Sequence, residues 1–265
     1  LVRPGTPWRR AAGLGWVFAT AWLAGTFWWL FISMHIYGGL ASPLAGAAVL
    51  ALAAFLALYY AVSLGLFSAL AHTQRALSAL IFAALWLLAE LARGTWWTGF
   101  PWGASGYAHV DGPLAALARS VGVYGIAAVA AALAMLLAQL RRSDLYRPRA
   151  WALVVTVAIA LAGLSWQRQQ AIATPNPAAT APLTLALLQG SIPQDEKFQF
   201  GSGIPMALQW YSDQLRNATQ QLVVAPETAI AVLPQQLPPD YLQTIEDQYT
   251  SGAQAALIGI PLGDL

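Results

Sequence analysis

A helical membrane domain of several spans, followed by an α/β domain outside the membrane, is the fold class this sequence predicts. Three observations predict it. The chain of 265 residues is 58% hydrophobic and only 9% charged, against about 25% charged in a soluble domain, and its mean hydropathy is +0.56. Its apolar residues gather into long runs between residues 11 and 166. Beyond them the pattern changes to short, largely aliphatic runs that alternate with amphipathic stretches, as in a parallel or mixed sheet covered by helices.

A helical span needs about 17–25 apolar residues. Five stretches qualify within a membrane domain at 1–170: Ala11–Ile32, Leu44–Leu70, Ala76–Ala92, Leu114–Leu140 and Ala150–Trp166. The second and fourth exceed the minimum and are expected to tilt. Pro43, Pro113 and Pro148 stand just before spans begin, where a first helical turn tolerates proline. Trp28, Trp29, Trp96, Trp97, Trp102, Trp151 and Trp166 lie near span ends, as an interfacial belt requires.

The connections fix an orientation. One set carries Arg3, Arg9, Arg10, Arg75, Arg141, Arg142, Arg147 and Arg149; the opposite set carries only Arg93, Arg119 and Arg168. Eight against three places the first set in the cytoplasm. Five crossings then leave everything beyond Trp166 outside.

A linker at 171–182 includes the proline- and alanine-rich run Ala173–Pro182. After it the expected order is strand Leu183–Leu188, helix Pro205–Gln220, strand Leu222–Ala225, helix Pro239–Thr250 and strand Ala255–Ile260. Three strands and two helices make a thin core, so 183–265 is expected to be the first part of a larger domain.

Composition also excludes classes of function. The net charge of +2 with scattered arginines gives no nucleic-acid footprint. There is no cysteine, and His35, His72 and His109 stand far apart, so neither a metal site nor a cofactor is expected. No cleavable signal is evident, because the apolar run after Arg10 is too long for a signal-peptide core.

The chemistry concentrates in three places. The run Leu222–Ala225 stops at Pro226-Glu227, which puts one carboxylate at a strand's C-terminal end, where open α/β sheets hold their reacting groups. Glu227 is therefore the candidate general base; the alternative is a solvated loop acid or a helix cap. Glu90 and Arg93 share a helix face at a spacing of three and are expected to pair near the outer end of the third span. Charges at that depth are often functional, and an interfacial pair that only orients the helix is the equal alternative. The following turn, Gly99-Phe100-Pro101-Trp102, offers an aromatic surface that admits lipid or packs beneath the soluble domain. Lys197, the chain's only lysine, sits in the loop after the first strand and is expected to be merely solvated.

Four landmarks stand in order: Trp28-Trp-Leu-Phe-Ile-Ser33 with Gly38-Gly39; Glu90 through Trp102, then Gly106-Tyr107 and Asp111-Gly112-Pro113; Leu188-Gln-Gly-Ser-Ile-Pro-Gln194; and Ala225-Pro-Glu-Thr-Ala-Ile230. With these motifs the chain resembles the bacterial apolipoprotein N-acyltransferases. The resemblance implies a multi-pass protein of the inner membrane with a periplasmic nitrilase-like (αββα sandwich) domain. It implies ping-pong acyl transfer from a phospholipid, preferably phosphatidylethanolamine, through a cysteine thioester to the amino group of a diacylglyceryl-cysteine on a lipoprotein. Glu227 matches the family's glutamate base. Phe198 stands where the family often has a tryptophan, and Phe198, Phe100 and Trp102 are candidate substrate-binding residues. The family's catalytic lysine and cysteine come later in the nitrilase-like domain, and Lys197 precedes Glu227. The chain is therefore expected to be an internal fragment, inactive by itself. Two other readings stay open: a non-enzymatic polytopic scaffold or transporter-like protein, and a membrane-anchored amidase or nitrilase.

Overall fold

The computed structural model describes residues 6–144, 146, 148–173, 182–250 and 252–263. The chain divides into two compact units, residues 1–175 and 176–265. The division falls within the stretch read as a linker, of which residues 174–181 lie outside the described residues, as do Arg3 and Arg147 of the arginine pattern.

The first unit is helical. Its helices are α1 (Trp8–Thr26), α2 (Trp28–Ile32), α3 (Ser42–Leu70), α4 (Arg75–Thr95), α5 (Ala118–Ala138) and α6 (Pro148–Ala173). Ser42–Leu70, Arg75–Thr98 and Pro113–Ala138 are long and apolar enough to cross a membrane, and a fourth crossing results if Trp8–Thr26 and Trp28–Tyr37 act as one bent span. Among the described residues the count is thus three or four against the five expected, and the difference lies at two places. The first expected span is broken by a 54° bend at Phe27, whose ring packs edge-on against Phe100 at 5.0 Å. The fifth is the helix α6, of which the described residues Val154–Gln167 form a shorter apolar stretch.

α1 and α3 pack through small residues. Ala11, Gly15, Ala19 and Leu23 recur every four positions on α1 and are all buried; Ala45, Val49, Ala53, Ala57, Ala61 and Gly65 do the same on α3. Such ridges let backbones approach closely in lipid, where van der Waals contact rather than the hydrophobic effect drives association. A Cβ on Gly15 would stand 3.0 Å from Leu64 Cβ and 3.1 Å from Tyr60 O. At the other end of the bundle, Arg75 donates to Asp144 at 2.7 Å, tying the start of α4 to the connection between α5 and α6.

The second unit is a three-stranded parallel sheet in the order β1 (Leu185–Leu187), β2 (Leu222–Val224), β3 (Ala255–Leu257), with helices α7 (Gly203–Asn217) and α8 (Tyr241–Thr250) between the strands in sequence. The register sets Ala186, Val223 and Ala256 side by side. That face packs against Ala207, Tyr211 and Leu215 of α7 and Ile245 of α8. Tyr241 donates to Leu208 O at 2.7 Å, joining the two helices, and burial pushes its phenol up to about 12. The opposite face carries Leu185, Leu222 and Ala255, then Leu187, Val224 and Leu257. It is open: Leu187 is 72% exposed and Leu257 64%.

Candidate functional site

All three strands end on the same side of the sheet, and the loops leaving β1 and β2 line a pocket there together with α7. β2 is the central strand. Ala225 N makes its last ladder bond, to Leu257 O at 2.9 Å, and Pro226 has no N–H with which to continue. Glu227 follows in a tight turn closed by Ala229 N donating to Pro226 O at 3.1 Å. Thr228 has a φ of +53°, a left-handed conformation that costs a β-branched residue about 1–3 kcal/mol and persists only when its surroundings enforce it. Two of those surroundings come from Gly259, just after β3. Ile230 N donates to Gly259 O at 3.2 Å. A Cβ at position 259 would lie 2.5 Å from Pro226 O and 2.7 Å from Glu227 Cα, so only glycine allows the turn to settle there.

The pocket has a volume of about 160 Å³ and is lined by Gln189, Ser191, Gln194, Lys197, Tyr211 and Glu227 among others. Glu227 is exposed at its mouth. Gly190 N donates to the Tyr211 hydroxyl at 3.2 Å, which anchors the loop after β1 to α7. Lys197 is not merely solvated as expected: it is half-buried and its Nζ donates to Thr228 Oγ1 at 3.3 Å. Nothing in the local sequence signals this contact, which spans 31 positions. Phe198 lies beside it, 55% exposed, with the Lys197 ammonium 5.6 Å from its ring centre. The pocket thus offers one carboxylate on rigid backbone, one ammonium and several amide and hydroxyl groups. That set can accept and return a proton and bind a polar group. Among the described residues no cluster of three or more His, Cys, Asp or Glu side chains could hold a metal.

The other predicted residues lie in the helical unit. Glu90 and Arg93 are both fully buried, yet they form no ion pair with each other. Each turns instead to the segment after α4. Arg93 Nη1 donates to Phe100 O at 2.6 Å and Trp102 O at 2.8 Å, and its Nε to the Tyr60 hydroxyl at 3.2 Å. Glu90 Oε1 accepts from Ser105 N at 2.8 Å. The returning chain brings backbone groups into an apolar bundle, where each unmet group costs about 1–3 kcal/mol, and the two side chains meet them. Tyr60 could not have been read as a partner, because it lies on another helix. Trp97, Thr98 and Gly99 all have positive φ, and Phe100 N donates to Arg93 O at 2.8 Å, so the segment folds back sharply on α4. It presents Phe100, 5.0 Å from Phe27, and Trp102, 4.8 Å from Trp29 and 55% exposed. Phe100 and Trp102 are therefore brought together, 5.8 Å apart, while Glu227 and Phe198 belong to the other unit.

The sequence profile of the apolipoprotein N-acyltransferase N-terminal domain matches residues 1–136, from before α1 almost to the end of α5. The chain belongs to the apolipoprotein N-acyltransferase family. Similar relatives carry that name. The apolipoprotein N-acyltransferase of Verminephrobacter eiseniae is 61% identical over 272 residues, covering 100% of this chain and 51% of the relative. That of Ralstonia nicotianae is 41% identical, covering 100% and 50%, and that of Pseudomonas putida is 36% identical, covering 96% and 50%. The chain thus spans about half the length of the curated relatives it matches. The first two alignments run through the whole chain and include the Glu227 turn as well as the Glu90–Trp102 segment.

Proposed function

We propose that the full-length protein is an apolipoprotein N-acyltransferase. It moves a fatty acyl chain from a phospholipid, preferably phosphatidylethanolamine, to the α-amino group of an N-terminal diacylglyceryl-cysteine on a lipoprotein. The observation that carries this reading is family membership of the helical unit in a chain whose parallel sheet delivers Glu227 to a pocket at its C-terminal end. In this reading Glu227 takes the proton of a cysteine thiol, and the thiolate attacks the ester carbonyl of the lipid. The alcohol oxygen of the lysophospholipid leaves with the proton held by Glu227, and a thioester remains. The amine of the acceptor then attacks the thioester, Glu227 takes the amine proton, and the thiolate leaves and is reprotonated. No cysteine is among these 265 residues, and Lys197 is the only lysine; the thiol and a second lysine that stabilises the oxyanion belong to the full-length enzyme.

The same reading assigns the second unit to a nitrilase-like αββα sandwich. The open face of Leu185, Leu187, Leu222, Val224 and Leu257 supports it, since an apolar sheet face of that kind is covered in a folded domain. It places the protein in the bacterial inner membrane with the second unit periplasmic. α6 then serves as a crossing: its 26 residues span about 39 Å at 1.5 Å per residue, and Val154, Val155, Ile159 and Leu164 are all exposed, as in a lipid-facing helix. Phe100 and Trp102 meet the acyl donor at the membrane face, and Phe198 meets it at the pocket.

The test is acyl transfer from a phospholipid to a diacylglyceryl peptide by the purified full-length protein and its Glu227→Gln variant. The expected loss in the variant is about 10²–10⁴-fold, the usual contribution of a general base. Transfer at the unaltered rate would remove Glu227 from the mechanism.

A further inference from the structure

We propose that Lys197 is a positioning residue for Glu227, acting through Thr228. The inference deepens the function proposed above and rests on that reading for its kinetic consequence. Its structural basis is the bond from Lys197 Nζ to Thr228 Oγ1 at 3.3 Å. Thr228 directly follows Glu227 and holds the left-handed conformation on which the direction of the turn depends. On one side the turn is held by the Gly259 backbone. On the other, Lys197 supplies the only side-chain hydrogen bond to either Glu227 or Thr228 among the described residues. A turn strained at a β-branched residue relaxes unless it is held, and relaxation of Thr228 moves the residue before it.

The lysine is itself well placed to hold. Its loop is a compact turn in which Glu196 N and Lys197 N both donate to Pro193 O, at 3.1 and 2.9 Å. Gly203, the first residue of α7, closes on the carbonyl of Glu196 so tightly that no Cβ fits. Ile204 N donates to Gln199 O at 3.0 Å, securing the end of the loop to the helix. Lys197 is thus mounted on α7, and the bond to Thr228 couples that mount to the end of β2. Lys197 and Glu227 line the same pocket, so the coupling sets how the carboxylate enters it. Misplacing a catalytic group by about 1 Å costs up to about 10²-fold in rate.

The experiment uses the full-length protein with Lys197→Met, Lys197→Arg, Thr228→Val and the double variant Lys197→Met with Thr228→Val. Two readouts are taken: steady-state acyl transfer, and hydrogen exchange at the Ala229 and Ile230 amides, which report the turn without requiring activity. The expected result is a fall in kcat of about tenfold for Lys197→Met and for Thr228→Val, with KM for the phospholipid unchanged. Lys197→Arg keeps a donor and retains most of the rate, and the double variant is no slower than the worse single one. Exchange at both amides quickens in Lys197→Met and Thr228→Val alike. Additive losses, an effect confined to KM, or unchanged exchange would overturn the positioning role. A parent protein that transfers no acyl group defeats the functional reading instead, and the exchange measurement then decides the role of Lys197 alone.

Discussion

Arg93 shows how a buried charge can serve the backbone rather than a partner charge. Its guanidinium reaches two carbonyls and a hydroxyl in a planar fan that an ammonium cannot reproduce. Glu90, three residues earlier, receives Ser105 N, so the two side chains grip the returning segment at both ends. Removing Arg93 leaves the Phe100 and Trp102 carbonyls without their donor, a loss of about 1–3 kcal/mol for each buried group. Arg93→Met should therefore lower the thermal unfolding temperature of the detergent-solubilised protein sharply, and Arg93→Lys should recover little of it. Full recovery by lysine would mean that charge alone matters there. The spacing of Glu90 and Arg93 was legible in the sequence, and so were their helix and their depth. Their partners were not, because the Phe100, Trp102 and Ser105 backbone groups become acceptors and donors only once three consecutive positive-φ residues have turned the chain back. Lys197 is the same case: its mate lies 31 positions away, and no local pattern encodes that distance.

At the scale of elements, periodicity was a good guide where one face or one run dominates. α3 begins two residues before its expected start and ends where expected, with Pro43 in its first turn as read. The strands at Leu222 and Ala255 begin where the apolar runs place them, since runs this short, flanked by proline or glycine, favour strand over helix. The bend at Phe27 was illegible, because neither proline nor an interior polar cluster marks it, and the Phe100 ring that Phe27 packs against lies far along the chain. The α1–α3 seam was equally hidden, as alanine and glycine every four residues read simply as apolar. That seam carries a specific expectation. Gly15→Leu forces a side chain into space already occupied by Leu64 and the Tyr60 carbonyl, and overpacking of this kind costs about 1–3 kcal/mol. The variant should unfold at lower temperature, while Gly13→Leu, where a Cβ meets nothing within 4 Å, should not. Equal effects at the two positions would show that the seam is not close-packed.

The largest scale brings in the membrane. Eight arginines against three predict which ends of the helices face the cytoplasm, but the number of crossings decides where the second unit lies, and that number turns on α6. Single cysteines test it: with Thr73→Cys and Thr219→Cys in otherwise cysteine-free protein, a membrane-impermeant thiol reagent applied to spheroplasts should label position 219 and spare position 73. Labelling of both or of neither would contradict a periplasmic second unit with α6 as a crossing. The division into two units was legible because composition changes abruptly at the proline-rich run; the convergence of three loops on Glu227 was legible only in outline, since it depends on strand order. The sheet's uncovered leucines carry one last implication, and it concerns time rather than energy. A parallel sheet pairs residues far apart in sequence and assembles slowly. Until something lies over Leu187 and Leu257, each newly made molecule displays a strip to which its neighbours can stick. The yield of correctly assembled protein is then set by a race between cover and collision, so slower synthesis and lower expression temperature should raise it even where final stability is unchanged.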